Sequence, residues 1–323
     1  MSRHWSNIGE AGVITGLRIM VWVDKYLGRF AFNVVLMPVM SYFFLRRATA
    51  RRASLEYLQR IHSCYPDSLS GKPGLWMAFR HFFTFGQSLL DKYVAWVQPP
   101  GDIGMDPDEE EMLFELAEKK EGILLIGSHF GNLEYSRAIA CRHRDLVINV
   151  LLYDQHAANF AALVEGSAPE SRLNLVQVTD LDIDTALQLK ERIGNGEWVL
   201  IAGDRVPVGN GENVCPAEFL GKKANFPIGP YVLASLLDCP VYLLHCFRLE
   251  GHYRLGMELF EEKVVARRDG RKRKYDHLVQ KYATALERQV RRAPMQWYNF
   301  YDFWREKATA RTQADSLADD DQD

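Results

Sequence analysis

The chain has 323 residues, enough for one large domain or two small ones. Hydrophobic residues make up 47% and charged residues 25% of the sequence, which are the proportions of an ordinary globular protein with a sizeable core. The net charge of -3 provides no global attraction to nucleic acid, and the mean hydropathy of -0.21 excludes a protein with many membrane spans.

The most apolar stretch of the chain is RFAFNVVLMPVMSYFFLRR, in which no residue between Arg29 and Arg46 is charged. A helix of that length covers roughly 24 Å, against roughly 30 Å of bilayer core, and Pro38 predicts a kink near its middle. Two interpretations are open: a membrane anchor, as a short kinked span or as a helical hairpin in the interface, and a pair of helices buried in a soluble core. We favour the anchor, with residues 1–60 as a membrane-anchoring and basic segment. The basic cluster that suits an anionic cytoplasmic leaflet consists of Arg46, Arg47, Arg51 and Arg52.

An α/β pattern begins near residue 106. A helix is predicted from Asp106, with Pro107 in its first turn and a stop at Gly122. Further along the chain, predicted strands (ILLIGS, LVINVLLY, LNLVQV, EWVLIAG) alternate with predicted helices (DQHAANFAALVEG, DIDTALQLKERIGNG, GPYVLASLLD). The last two predicted strands, PVYLLHCFR and YRLGMELF, are close enough to pair as a hairpin. This alternation predicts a mixed, mainly parallel sheet flanked by helices within residues 61–305.

Two of the predicted strands end beside chemically reactive side chains. ILLIGS is followed by His129, and EWVLIAG is followed by Asp204 and Arg205. In sheets of this kind ligands bind outside the carboxyl ends of the strands. Asn132 is a predicted helix N-cap, which would place Glu134 in the first helical turn, where it can converge with His129.

The spacing of His129 and Glu134 has two interpretations. One is a polar turn between a strand and a helix. The other is a general base and its partner, because a carboxylate on one imidazole nitrogen fixes the tautomer and lets the other nitrogen take a proton.

No covalent nucleophile accompanies this pair. The sequence contains no G-x-S-x-G elbow, and Ser128 is expected to point to the opposite face of the strand from His129. None of the five cysteines lies in an activating context or in a C-x-x-C pair, so no zinc site is predicted. Their odd number, without a secretory cleavage signal, indicates reduced thiols facing the cytoplasm. A base that acts directly on an acceptor therefore fits better than a covalent acyl-enzyme.

Four segments, in this order, resemble the bacterial lipid A biosynthesis (late) acyltransferases of the glycerolipid (lysophospholipid) acyltransferase superfamily. SHFGNLE is similar to their H-x(4)-[DE] signature, and WVLIAGDRVPV to their second block. AEFLGKKANFPIGPYVLASLLDCPVYLLHCFR resembles the third block, and APMQWYNFYDFW resembles the closing P-x-Q-[WY] segment. The resemblance extends over most of the chain and implies a glycerolipid acyltransferase-like fold at the cytoplasmic face of the bacterial inner membrane.

The resemblance also implies an activity. A fatty acyl group would move from a thioester, on acyl carrier protein or coenzyme A, to a hydroxyl or amine of a lipid or glycolipid, without a metal or a redox cofactor. The alternatives are a thioesterase in which His129 activates water, and a non-catalytic lipid-binding or scaffold protein with the same fold. The basic stretch 267–274 is either a docking site for acidic acyl carrier protein or a solvated loop.

By the same resemblance, His129 is the general base and Glu134 its partner. Asp204 and Arg205 would shape the pocket, and Arg205 is available for a phosphate or for the developing charge, the alternative being an ordinary loop salt bridge. Asn132 is either a substrate contact or only an N-cap. The other residues expected to line the substrate pocket are Phe226, Gly229 and Pro230.

The closing segment departs from the family pattern. Met295 stands where lipid A enzymes carry a glutamate, and residues 301–303 (Tyr-Asp-Phe) replace a His-Arg-Arg cluster that suits a phosphorylated saccharide. An acceptor other than the lipid A precursor is therefore predicted. Four aromatic residues are expected on one helical face, as core or as a wall for the substrate: Trp297, Phe300, Tyr301 and Trp304. The tail, residues 306–323, is predicted to be disordered.

Overall fold

The structure is a computed structural model that describes residues 10–97, 103–136, 139, 143, 146–152, 173–177, 183–206, 213–269 and 272–304. The predicted helix DQHAANFAALVEG and the tail 306–323 lie outside the described residues.

Three helices precede the α/β body: α1 (Glu10–Arg46), α2 (Ala48–Cys64) and α3 (Leu75–Val97). The helix continues through Pro38, where a kink stays a prediction, and its non-helical residue is Gly28, where φ is +80°. A glycine adopts this conformation without a steric penalty. α1 is long and apolar enough to cross a membrane from Ile19 to Arg46, by length and composition only.

α1 and α3 pack against each other in antiparallel directions. The ring of Phe44 meets Phe82 edge-on at 5.2 Å, and Arg29 forms a 2.6 Å ion pair with Asp91 at the other end of the contact. One face of α1 is therefore buried against α3. The face that remains exposed is also apolar and includes Trp22, Tyr26, Leu27, Phe30, Val34, Tyr42 and Leu45.

The body is built on one six-stranded sheet. Its strands are β1 (Leu124–Gly127), β2 (Ile148–Leu152), β3 (Leu173–Gln177), β4 (Trp198–Ala202), β7 (Val241–Leu249) and β8 (His252–Glu261), in the order β3-β2-β4-β1-β7-β8. All neighbouring strands are parallel except the β7–β8 hairpin, so the predicted mixed, mainly parallel α/β fold is confirmed. The helices of the body are α4 (Pro107–Glu118), α5 (Ile183–Gly194), α6 (Gly229–Leu237) and α7 (Asp276–Arg292).

Apolar side chains cover both faces of the sheet because successive residues of a strand point to opposite sides. In β1, Leu124 and Ile126 join a core formed with α2, α5, α6 and α7, whereas Leu125 joins a second core with α4. Strands buried on both faces read as continuous apolar runs, which is why these segments were recognisable in the sequence. The proposed domain boundary at residues 60 and 61 falls within α2, whose Tyr57 and Ile61 lie in the first of these cores.

Several elements have no counterpart in the sequence-based prediction. They include α3, the hairpin of β5 (Val214–Phe219) and β6 (Lys222–Pro227), the small hairpin of β9 (Arg267–Asp269) and β10 (Lys272–Lys274), and α7. The expected helical face after Trp297 is wrong, because 294–304 contain one short 3₁₀ turn, Pro294–Gln296, and are otherwise irregular. Core packing holds for Trp297 and Trp304, which are both buried.

Candidate active site

The candidate site lies at the carboxyl ends of two adjacent parallel strands. β1 and β4 pair from Leu124↔Val199 to Gly127↔Ala202, and the ladder continues with a hydrogen bond from Gly203 N to Gly127 O. The chain leaves the sheet just after this point on both strands. His129 and Asp204 are therefore brought together, as expected for side chains at the same edge of a sheet.

His129 and Asp204 are joined by two hydrogen bonds. Nδ1 of His129 is 2.8 Å from Oδ1 of Asp204, and the backbone N–H of His129 donates to Oδ2 at 2.9 Å. Asp204 is only 2% exposed, whereas about a third of the His129 side chain (34%) reaches solvent. An ionised Asp204 accepts the hydrogen of Nδ1, which leaves the lone pair on Nε2 for a substrate.

The surroundings of the pair determine its protonation. Burial acts to raise the pKa of Asp204, but the hydrogen bonds and charge of His129 and the charge of Arg205 outweigh it, so the pKa lies below the usual value. Burial, then the charge of Arg205, lowers the pKa of His129 below its usual value, with Lys92 adding to this effect and Asp204 opposing it. At neutral pH the site thus contains a neutral imidazole and a carboxylate.

Glu134 does not occupy the position that the sequence predicted for it. The carboxylate on Nδ1 of His129 is Asp204, while Oε1 of Glu134 forms a 3.0 Å ion pair with Nζ of Lys92 on α3. The amide of Asn132 donates to Oε2 of Glu134 at 2.7 Å and accepts from Lys92 N at 3.2 Å. Glu134 and Asn132 therefore connect the loop that follows β1, residues 128–132, to α3; we call this segment the histidine loop. Glu134 itself lies in a 3₁₀ turn, Leu133–Ser136, rather than in an α-helix.

Gly131 allows the histidine loop to lie directly on β7. Its φ is +70°, and a Cβ at this position would lie 2.0 Å from the carbonyl oxygen of Cys246. The N–H of Asn132 donates to that same oxygen at 2.7 Å. Glycine is required here for its conformation and for close backbone approach.

The closing segment, 294–304, covers the other side of the histidine loop. Tyr298 N donates to His129 O at 3.2 Å, and Gly131 N donates to Gln296 O at 2.8 Å. The side chain of Gln296 bonds both the N–H and the carbonyl of Arg248 in β7. Gln296 and Tyr298 therefore hold the segment against the site.

The model of the family described as bacterial lipid A biosynthesis acyltransferase matches residues 75–306.

The chain belongs to this family.

The match begins at α3 and includes the His129 loop, the Asp204 turn and the closing segment of the acyltransferase. A comparison with curated proteins gives no match.

The other predicted site residues lie at different depths in the acyltransferase. Arg205 is exposed and donates from one terminal nitrogen to Tyr298 O at 2.8 Å. A guanidinium carries five N–H donors, which suits it to an anionic ligand. Phe226 is fully buried and packs edge-on against Phe219 and Phe303. Gly229 and Pro230 form the first turn of α6, and Pro230 is buried. Their assignment to a substrate pocket stays a prediction.

Sequence reasoning missed two features of the site. Lys92 lies 37 positions before His129 in an ordinary amphipathic helix, and nothing in its local pattern distinguishes it from a solvated lysine. Trp297 was expected only as core or as a substrate wall, but its Nε1 donates to Oδ2 of Asp204 at 3.0 Å. The sequence did contain a signal for the hydrogen bond of Trp297, because a buried indole N–H usually has a hydrogen-bond acceptor.

Proposed function

We propose that this acyltransferase moves a fatty acyl group from a thioester to a hydroxyl or amine of a lipid or glycolipid, with His129 as the general base. The observation that carries the proposal is the hydrogen bond between Nδ1 of His129 and the buried Asp204, which leaves Nε2 at the partly exposed edge of the ring. A neutral imidazole oriented in this way is suited to accept a proton from an acceptor lipid.

The proposed reaction proceeds by direct attack. Nε2 of His129 removes the proton as the acceptor oxygen or nitrogen forms a bond to the thioester carbonyl carbon. The carbonyl becomes an oxyanion, and the guanidinium of the exposed Arg205 supplies the positive charge that stabilises it. When the oxyanion collapses, the carbon–sulfur bond breaks, and the imidazolium returns its proton to the thiolate of the carrier. Asp204 stabilises the imidazolium between these two steps.

The donor is proposed to be acyl carrier protein or coenzyme A, and the enzyme to act at the cytoplasmic face of the bacterial inner membrane. The exposed apolar face of α1 supports membrane attachment, and the four cysteines in the described part of the chain are free thiols. The β9–β10 hairpin, over the basic stretch 267–274, stays a candidate docking site for an acidic carrier protein.

The test uses the full chain in detergent or native membranes, with a labelled acyl thioester and a lipid extract as acceptor. His129→Ala should lose roughly 10²- to 10⁴-fold in rate, the usual contribution of a positioned general base. His252→Ala is the matched control and should retain wild-type rate, because His252 is exposed at the start of β8, where it pairs with Leu249, and none of the described contacts joins it to His129 or Asp204.

The proposal fails if folded His129→Ala protein transfers acyl groups as fast as the wild type. The thioesterase alternative is tested in the same assay by omitting the acceptor lipid, because a thioesterase would then hydrolyse the donor at full speed. Donors carried on acyl carrier protein and on coenzyme A are compared in separate reactions.

A further inference from the structure

Trp297 connects the hydrophobic core to the carboxylate of Asp204. Its indole is 1% exposed and packs edge-on against Tyr57 and Phe219, yet its N–H points to Oδ2 of Asp204 at 3.0 Å. That oxygen also accepts from His129 N. Asp204 is thus held from two directions, from the histidine loop and from the closing segment.

The backbone of Trp297 is held by side chains from α3 and α2. The carbonyl of Trp297 accepts from Nε2 of His81 at 3.0 Å, and Nδ1 of His81 is 2.9 Å from Oγ of Ser54. Burial lowers the pKa of His81 to about 4, so the ring stays neutral, with its one hydrogen on Nε2 and Ser54 donating to Nδ1. A continuous chain of hydrogen bonds therefore runs from α2 through α3 and Trp297 to Asp204.

We propose that Trp297 is a positioning residue, which acts through Asp204 to orient His129 and to set the basicity of its Nε2. This inference rests on the proposed general-base function of His129. The physical reason is that the indole N–H fixes the carboxylate plane and withdraws charge from the oxygen that it contacts. Without this donor, the carboxylate interacts more strongly with the imidazolium and is less restrained.

The direction of the effect on pH dependence follows from these charges. A more concentrated negative charge on Asp204 stabilises the protonated form of His129 and raises its pKa. The base must be deprotonated to act, so the acid limb of the kcat/KM profile moves to higher pH when the donor is lost. The other ionisable groups near the pair, which the substitution leaves in place, are Lys92, Glu134, Arg205, Tyr282 and Tyr301.

The experiment compares Trp297→Phe with Trp304→Phe. Trp304 is also a buried indole and packs with Trp297, Phe219 and Phe303 in one aromatic cluster. Its N–H donates to Phe219 O at 3.1 Å instead of to Asp204. Both variants lose one ring and one buried hydrogen bond. Trp297→Phe should move the acid limb upward and lower kcat by roughly tenfold to 100-fold, as for groups that orient a functional imidazole from behind. Trp304→Phe should leave the acid limb unchanged.

A second measurement separates this inference from the proposed function. Nuclear magnetic resonance of protein labelled at histidine Cε1 gives the pKa of His129 directly, with its signal assigned by its loss in His129→Ala. An upward shift in Trp297→Phe and none in Trp304→Phe supports the inference, whether or not any acyl acceptor is turned over. An unchanged His129 pKa in folded Trp297→Phe overturns it.

If Trp297→Phe does not fold, 3-benzothienylalanine at position 297 decides the question. This side chain keeps the shape of the indole and replaces the N–H by sulfur, so that only the donor is removed. The same upward shift is expected, and its absence contradicts the role of Trp297.

Discussion

Asp204 is a carboxylate without direct access to solvent, and its few contacts decide what His129 can do. Oδ1 holds the imidazole, and Oδ2 holds the backbone of the histidine loop and the indole of Trp297. A buried charge of this kind is stable only when each of its lone pairs is matched by a donor. The same contacts fix the tautomer of His129, so that the burial of Asp204 and the orientation of the imidazole depend on one set of contacts.

Asp204→Asn should therefore remove activity without removing the fold. The amide has almost the same shape, but it can donate to Nδ1 and so favour the tautomer that carries hydrogen on Nε2. Loss of kcat should approach 10⁴-fold, the value associated with a wrong tautomer. Since the charge of Asp204 raises the pKa of His129, any residual activity should have its acid limb at lower pH than the wild type.

Glu134→Gln provides the contrast to that variant. In the structure Glu134 pairs with Lys92 and Asn132, so the amide should leave the Nδ1 contact of His129 in place. We expect a smaller loss of rate than in Asp204→Asn and no downward movement of the acid limb. pH–rate profiles of the two purified variants give the answer, and a larger defect in Glu134→Gln would restore the pairing of His129 with Glu134 that the sequence suggested.

Which residues surround His129 could be predicted only in part. His129 and Asp204 could be predicted as site residues because both follow buried strands, and the end of a buried strand can be predicted from a local apolar run. The sequence could not decide whether Asp204 or Glu134 is the partner of His129, because the answer depends on β1 and β4 being neighbours in the sheet. The contribution of Lys92 depends on how α3 packs against the body, which no local pattern encodes.

At the scale of elements, the histidine loop is shaped by its contact with β7. Gly131 has a left-handed conformation and forms an isolated bridge to Cys246. The resulting turn directs His129 back toward the end of β4. Local sequence predicts the strand before this turn but not the close approach to β7, which comes from a segment more than 100 residues later.

Gly131→Ala should distort this turn. A Cβ would meet the backbone of both Cys246 and Phe247, at 2.0 Å and 2.8 Å. Gly251→Ala is the matched control, because Gly251 also has a positive φ (+89°) but open space around it. The control should lose roughly 1–2 kcal/mol of folding stability, the cost of a left-handed conformation for a residue with a Cβ. Gly131→Ala should lose more stability than this and should also lose activity. Thermal unfolding and acyl transfer of both variants test this, and equal stability losses would show that the contact with β7 is not tight.

At the scale of the whole molecule, α1 has two apolar faces with different partners. One face packs on α3 through Phe32, Leu36 and Met40, and the opposite face is exposed, with Phe30 at 82%. Large apolar surfaces on a soluble monomer are uncommon, so an exposed face of this length indicates contact with a membrane or a partner. The basic residues at the end of α1 lie beside it and favour an anionic membrane surface.

We expect the full chain to sediment with membranes and to leave them when the exposed face is made polar. The triple variant Trp22→Gln, Phe30→Gln and Val34→Gln removes apolar side chains that are more than half exposed. Each such side chain contributes on the order of 1.5–3 kcal/mol when it is buried in an apolar phase. The variant should move to the high-speed supernatant while it keeps its thermal stability.

Exposed leucines of the body provide the control for that experiment. Leu187→Gln and Leu259→Gln remove exposed apolar side chains outside α1 and should leave sedimentation unchanged. Recovery of the wild-type chain in the supernatant without detergent would contradict the anchor. Deletion of residues 1–45 is a less informative test, because it uncovers Phe79, Phe82 and Leu90 and should cause aggregation.

At the same scale, the closing segment bears on the choice of acceptor. Where related lipid A enzymes carry a His-Arg-Arg cluster, this chain has Tyr301, Asp302 and Phe303. Phe303 is buried in the aromatic cluster, whereas Tyr301 is 40% exposed and close enough to Arg205 and Asp204 for their charges to affect its pKa. The exposed surface at this place is aromatic and acidic, which suits a neutral glycolipid, an amine-bearing head group or an aryl-containing lipid.

We therefore expect the bis-phosphorylated lipid A precursor to be a poor acceptor. Each charge-assisted contact to phosphate contributes roughly 1.5–3 kcal/mol, so the loss of two or three such contacts lowers turnover by orders of magnitude. The double variant Tyr301→His with Asp302→Arg restores the exposed part of the cluster and leaves the buried Phe303 in place. It should increase turnover of the precursor relative to the wild type, whereas Asp67→Arg, which makes the same charge change on an exposed turn after α2, should not. If the wild type turned over the precursor as fast as a lipid A late acyltransferase does, this prediction would be contradicted. Arg205 or the basic stretch 267–274 would then be the source of the positive charge that residues 301–303 lack.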